Sequence, residues 1–203
     1  MRGKFITFEG IDGSGKSTQI ELLKPILDAR GIEFIITKEP GGTDIGNMIR
    51  QILLDGGNLQ PETEILLMFA SRKEHLHNVI IPALEQGKLV LCDRFTDSTY
   101  AYQTFKCDTY ISKVRMLENW ISRAIKPDLT LFFDISVNTA INRIKNDRSL
   151  DQFENEKIIF LEKIIEGYLR QIREEPDRFV SINSEQSKLL ISHMVSKSVL
   201  KIL

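Results

Sequence analysis

Nine consecutive residues carry the densest chemistry in this chain: Gly10-Ile11-Asp12-Gly13-Ser14-Gly15-Lys16-Ser17-Thr18. They complete the pattern Gly, four residues, Gly, Lys, Ser or Thr. Glycines let successive backbone N–H groups turn toward one point with no Cβ in the way, and a helix that follows adds the positive end of its dipole. Lys16 has the reach for the outer phosphates of a nucleotide, and the Ser17 hydroxyl suits Mg²⁺. A glycine-rich turn with a chance lysine would spell the same letters, so the context decides. A second pair of interest is Asp93-Arg94, where a carboxylate closes an apolar run and a guanidinium follows it. Asp93 there resembles the carboxylate that holds a Mg²⁺ shell through water, although an aspartate can also cap a loop.

These groups need a frame that aims them at one place. Short, nearly continuous apolar runs recur at Phe5 to Phe8, Phe34 to Thr37, Leu89 to Cys92, Leu129 to Phe133 and Phe179 to Ile182. Runs of that kind suit strands covered on both faces, as in a parallel sheet. Between them lie single apolar stripes at helical spacing, such as Val114, Leu117, Ile121 and Ile125, or Leu161, Ile164, Tyr168 and Ile172. Gly31, Pro127 and Pro176 fall where helices must stop or strands begin. The alternation predicts an α/β fold with about five parallel strands and right-handed crossovers. It also places the glycine-rich stretch between a strand and a helix, the context its chemistry demands.

With 203 residues the chain is predicted to form one domain over 1–203. Lys and Arg number 27 against 28 Asp and Glu, for a net charge of -1, which supplies no long-range field to hold a nucleic acid. No apolar run approaches the roughly 20 residues that cross a bilayer, so no membrane span is expected. Two cysteines, Cys92 and Cys107, are too few for a disulfide framework, and no leader pattern opens the chain, so a cytoplasmic setting is expected. No Asn-Lys-x-Asp occurs to read a guanine base, and an Asp-x-x-Gly at Asp28 to Gly31 lies at the end of the first helix, away from any phosphate. A GTP-driven switch is therefore a distant second to a kinase.

Three more blocks lie near the carboxyl ends of strands, where open α/β sheets take ligands. They are Glu39-Pro40-Gly41-Gly42-Thr43, Phe69-Ala70-Ser71-Arg72, and the stretch from Asp93-Arg94 through Thr99, Tyr102 and Gln103. Together with Phe8 to Thr18, four separated blocks in this order resemble the thymidylate kinases over nearly the whole chain. The resemblance implies a three-layer P-loop NTPase fold, helices on both faces of the sheet, and transfer of a phosphoryl group from ATP, with Mg²⁺, to dTMP.

The same resemblance assigns roles. Arg94 would clamp the acceptor's 5′-phosphate, with Arg50 beside it, through the paired, permanently charged hydrogen bonds a guanidinium gives. Asp12 and Glu39 match carboxylates near the sugar 3′-hydroxyl and the metal, whose ligands here would be Ser17 and Asp93. Arg72, Thr99 and Gln103 match residues on the thymine edge, with Met68 and Phe69 on the same helix, and Tyr102 matches a ring set against the sugar. By spacing alone Arg72 is better read as a solvated helix charge paired with Glu64 or Glu74, while Tyr102 reads equally well as plain core. Asp134 reads as structural.

The chain also departs from the family. Met68 stands where an aromatic ring usually stacks on thymine, so base stacking is expected to be weaker or remodelled, with soft sulfur contacts in its place. Thr104-Phe105-Lys106-Cys107-Asp108 replaces a glycine-rich continuation. No base occurs in Asp12-Gly13-Ser14, so a lid of about 143–153 must supply the catalytic cation. Arg148 is the first choice there and Arg143 the next, with Gln152 where many relatives carry a second arginine. Relatives commonly form dimers through helices, and the stretch Ser112 to Lys126, with Trp120, is a contact face for a homodimer. Alternatives are a kinase for another nucleoside monophosphate, a nucleotide-binding switch without turnover, and a structural protein with a vestigial cradle.

Overall fold

The computed structural model describes residues 2–57, 59–105, 107–122, 125–144 and 152–203. Five parallel strands form one sheet: β1 (Phe5–Glu9), β2 (Phe34–Lys38), β3 (Leu89–Asp93), β4 (Leu129–Asp134) and β5 (Phe179–Asn183), in the order β2-β3-β1-β4-β5. Each strand is the apolar run read from the sequence, extended by one polar residue at its carboxyl end. Those five added residues, Glu9, Lys38, Asp93, Asp134 and Asn183, line up along the edge where the loops leave.

The helices α1 (Lys16–Asp28), α2 (Asp44–Asp55), α3 (Pro61–His75) and α4 (Ile81–Glu85) precede or follow β2 and lead to β3, with a π-helical turn, Leu76–Ile80, joining the last two. α5 (Thr96–Gln103) and α6 (Thr109–Ile121) come before β4. α7 (Val137–Ile144), α8 (Gln152–Glu174), a 3₁₀ turn at Pro176–Arg178, and α9 (Lys188–Ile202) complete the described elements. Both faces of the sheet are covered, which is why the strands need no alternation of polarity. Ile6 and Phe8 pack with Leu23 and Leu27 of α1 and Val195 and Val199 of α9. Phe5, Val90 and Cys92 face the other way, onto Leu76, Ile80 and Leu84. On that same side Phe132 meets the stripe of Leu161, Ile164 and Tyr168 on α8.

Two local features steer the chain toward the site. Thr43 caps α2 by accepting from Gly46 N at 2.9 Å, which fixes where the loop after β2 turns into a helix. Gly167 lets α8 lie on α5, because a Cβ there would sit 2.7 Å from Ala101 Cα. One stripe differs from expectation: α6 ends at Ile121 and Ser122 caps it, so Ile125 packs into the core from beyond the helix.

Candidate functional site

The cradle runs from the end of β1 to the first turn of α1. Gly10, Gly13 and Gly15 have φ of 140°, 81° and 96°, all in the region that favours glycine. Space is short as well as strained: a Cβ on Gly13 would lie 2.5 Å from Ala140 O of α7. Lys16 is buried here and donates through Nζ to Gly10 O and Ile11 O, each at 3.0 Å. Its pKa falls to about 8, chiefly because burial disfavours the ammonium and next because the Arg94 charge is close.

Ser17 Oγ donates to Asp93 Oδ2 at 3.0 Å, bringing the two proposed metal ligands together across 76 positions of sequence. Asp93 Oδ1 is buried and accepts no hydrogen bond from the described protein atoms. A hydroxyl, a carboxylate with one oxygen to spare and an adjoining phosphate cradle form the hard oxygen set that Mg²⁺ takes. These residues fit the ion. Among the described residues no cluster of three His, Cys, Asp or Glu side chains forms, so protein carboxylates alone do not cage it.

Arg94 follows β3 in a left-handed conformation, φ 70°. Its N–H continues the ladder to Phe8 O at 3.0 Å, which locks the turn to β1. The guanidinium is held from three elements: Nη2 donates to Asp12 Oδ1 at 2.7 Å and to Tyr102 OH at 3.3 Å, and Nη1 to Ser98 Oγ at 3.1 Å and Tyr168 OH at 3.0 Å. Burial opposes its charge, but the phenol oxygens, Asp12 and Glu9 outweigh that and keep it protonated.

Behind this wall lies a wholly buried polar assembly. Glu39 accepts from Arg72 Nε at 2.8 Å and from His75 Nδ1 at 3.0 Å, while His75 Nε2 is bonded to Thr37 Oγ1. Arg72 Nη2 donates to Thr99 Oγ1 at 3.0 Å, its plane lies over Phe69 and Phe95, and Nη1 has no partner among the described atoms. The ion pair of Arg72 is thus with Glu39, 33 positions away, and not a helix-surface pair with Glu64 or Glu74. A buried guanidinium whose Nη1 amino group is unpaired among the described atoms is a donor for a ligand oxygen.

The cradle, Glu39, Arg50, Asp93, Arg94 and Arg143 line one cleft of about 760 Å³, while Arg72 and Thr99 lie buried behind Glu39 and off its wall. Arg50 donates to Pro40 O at 3.1 Å, and Arg143, on α7, donates to Ser184 O at 2.7 Å. Met68 and Phe69 are buried on α3, with Phe69 in an apolar cluster beneath the Arg72 plane and not on the cleft wall. The Gln103 Oε1 is buried and accepts no bond from the described atoms. Arg148 lies outside the described residues. Reading the sequence missed Glu9, Ser98, His75 and Tyr168, and also Gln186 and Lys188, which line the cleft beyond β5. The last two could have been sought at the one strand end left unassigned.

A family model described as thymidylate kinase matches residues 8–195. A thymidylate kinase of Nitrosospira multiformis is 44% identical over 200 residues, covering 98% of each chain. One from Cupriavidus taiwanensis is 48% identical over 189 residues, covering 92% of this chain and 93% of its own. A third, from Caldanaerobacter subterraneus, is 42% identical over 200 residues, covering 98% of this chain and 96% of its own.

Proposed function

The chain belongs to the thymidylate kinase family, and from that premise we infer that it transfers the γ-phosphoryl group of ATP to dTMP, giving dTDP and ADP in dTTP synthesis. The observation that carries this reading is that the cradle with Lys16 and the guanidinium of Arg94 face one cleft. An acceptor phosphate is already ionised at neutral pH, so the reaction calls for alignment and charge stabilisation more than for a strong base.

In this reading the cradle N–H groups and Lys16 hold the donor phosphates, and Arg94 with Arg50 holds the acceptor phosphate in line with them. Ser17 and Asp93 would hold Mg²⁺, which when bound neutralises charge on the transferring group. Arg72 offers its Nη1 amino group to an oxygen on the base edge, with Thr99 and Gln103 nearby, and Tyr102 covers the sugar side. Asp12 and Glu39 carry the carboxylates near the sugar hydroxyl and the metal. The lid cation is assigned to Arg148, with Arg143 as the described alternative. Thr18 and Ile11 complete the donor loop. The protein works as a homodimer through α6, whose Trp120 is 79% exposed, and it acts in the cytoplasm; no described helix is long and apolar enough to cross a membrane.

An acceptor panel tests the activity. With Mg·ATP, dTMP should release ADP faster than dUMP, UMP or dGMP, and Lys16→Ala should lower turnover by roughly 10³-fold, the scale expected for a cation at a transferring phosphoryl group. Absence of dTMP-stimulated ADP release from folded protein overturns the assignment.

A further inference from the structure

Glu9 is the last residue of β1 and the residue before the cradle, and it is wholly buried. Each carboxylate oxygen accepts one hydrogen bond: Oε1 from Phe95 N at 2.6 Å and Oε2 from Ser98 Oγ at 2.6 Å. The donors are the residue that joins Arg94 to α5 and the third residue of α5 itself. Phe95 sits at the capping position of α5 and brings no polar side chain, so a carboxylate from the neighbouring strand satisfies the exposed N–H at the positive end of the helix.

The hydroxyl of Ser98 spends its single proton on Glu9, and its lone pairs therefore accept. One takes Arg94 Nη1 at 3.1 Å and the other takes the Tyr168 hydroxyl at 2.8 Å, while the Tyr168 oxygen accepts from Arg94 Nη1 at 3.0 Å. With Glu9 ionised, every proton in this ring finds an acceptor. The left-handed φ of Arg94 is a conformation a non-glycine residue keeps only when its surroundings impose it. Glu9 imposes it from below, and the Arg94 N–H bond to Phe8 O imposes it from the side.

We propose that Glu9 is a positioning residue for phosphoryl transfer: it fixes the Arg94 turn and guanidinium relative to the cradle that begins at Gly10, so that the acceptor clamp and the donor loop share one anchor. The proposal rests on the reading that Arg94 holds the acceptor phosphate. Stability does not explain the group. Burial, and then the charge of Asp97, push its pKa up to about 7, only partly offset by Ser98, Arg94 and Phe95 N. A carboxyl kept in a place that resists its charge points to a use for the charge. Around it stand Asp97 and Ser98 from α5, Arg94 before α5, Tyr168 from α8 and Lys16 from α1.

Glu9→Gln tests this in the full chain. The KM for dTMP should rise about tenfold, the scale of one weakened charged hydrogen bond, with the KM for ATP unchanged. Unfolding at pH 8 should occur at or above the wild-type temperature, because the variant no longer buries a charge. The double variant Glu9→Gln, Arg94→Lys should be no worse in dTMP binding than Arg94→Lys alone, since the effect passes through Arg94. Ser98→Ala, which keeps the carboxylate and its bond to Phe95 N, should show the same selective rise and serves if Glu9→Gln does not fold. Equal rises in both Michaelis constants, additive effects in the double variant, or an unchanged KM for dTMP in a wild type that phosphorylates dTMP would overturn the proposal. A wild type inert toward dTMP would instead remove the functional reading beneath it.

Discussion

Lys16 carries a charge set by opposing neighbours. Burial and the neighbouring Arg94 drive protons off it, while Asp93, Asp12 and Glu9 pull them back, and the outcome is a pKa of about 8. A group with a lowered pKa is charged below that value and neutral above it, so in the proposed role its hold on donor phosphates weakens on the alkaline side. The KM for ATP should therefore be flat below pH 8 and climb above it, measured by steady-state kinetics at saturating dTMP. A flat line through pH 8 and beyond would show that the ammonium is held by something other than this balance. At the same scale, the legible residues were those whose chemistry requires neighbours in sequence. The cradle is contiguous because one loop must wrap one phosphate group, so its spelling gave it away. Glu9 and Ser98, 89 positions apart, form a pair that only a folded sheet creates. Tyr168 sits in a helical stripe with Leu161 and Ile164, and no spacing separates a phenol that bonds Arg94 from one that merely fills the core.

α5 carries the Arg94 turn, and its position depends on more than its own eight residues. Arg178, from the 3₁₀ turn before β5, grips Asp97 with two parallel bonds of 2.7 and 2.8 Å and donates to Thr130 Oγ1 of β4 at 2.7 Å. Asp97 is buried, so removing its partner strands a carboxylate away from water. Arg178→Ala should cost about 3–5 kcal/mol in denaturant unfolding, while pairing it with Asp97→Asn should recover part of that loss. A cost under about 1 kcal/mol, typical of an exposed pair, would mean that water already reaches the site. Strands were the most legible elements, since a sheet covered on both faces admits only apolar interiors and each run could be read directly. Helix limits were less so. The spacing that joined Ile125 to α6 reflects a shared core and not a shared helix, because Ser122 ends the helix while Ile125 still packs inward.

For the whole molecule, composition excluded a long-range basic field but said nothing of how apolar groups distribute over the surface. Trp120 and Met116 of α6 and Leu66 of α3 are all largely exposed. If that face joins two copies as proposed, Trp120→Glu should lower the sedimenting mass to that of one chain with the fold unchanged, and a wild type that already sediments as one chain would retire the dimer. The order β2-β3-β1-β4-β5 has its own consequence. Phe8 stands opposite Asp93, and Glu9 opposite Phe132. A slide of one ribbon by a single step would turn every side chain to the opposite face and carry both acidic termini away from their partners. One alignment of three ribbons thus does two jobs, seating Glu9 under the Arg94 turn and Asp93 against Ser17.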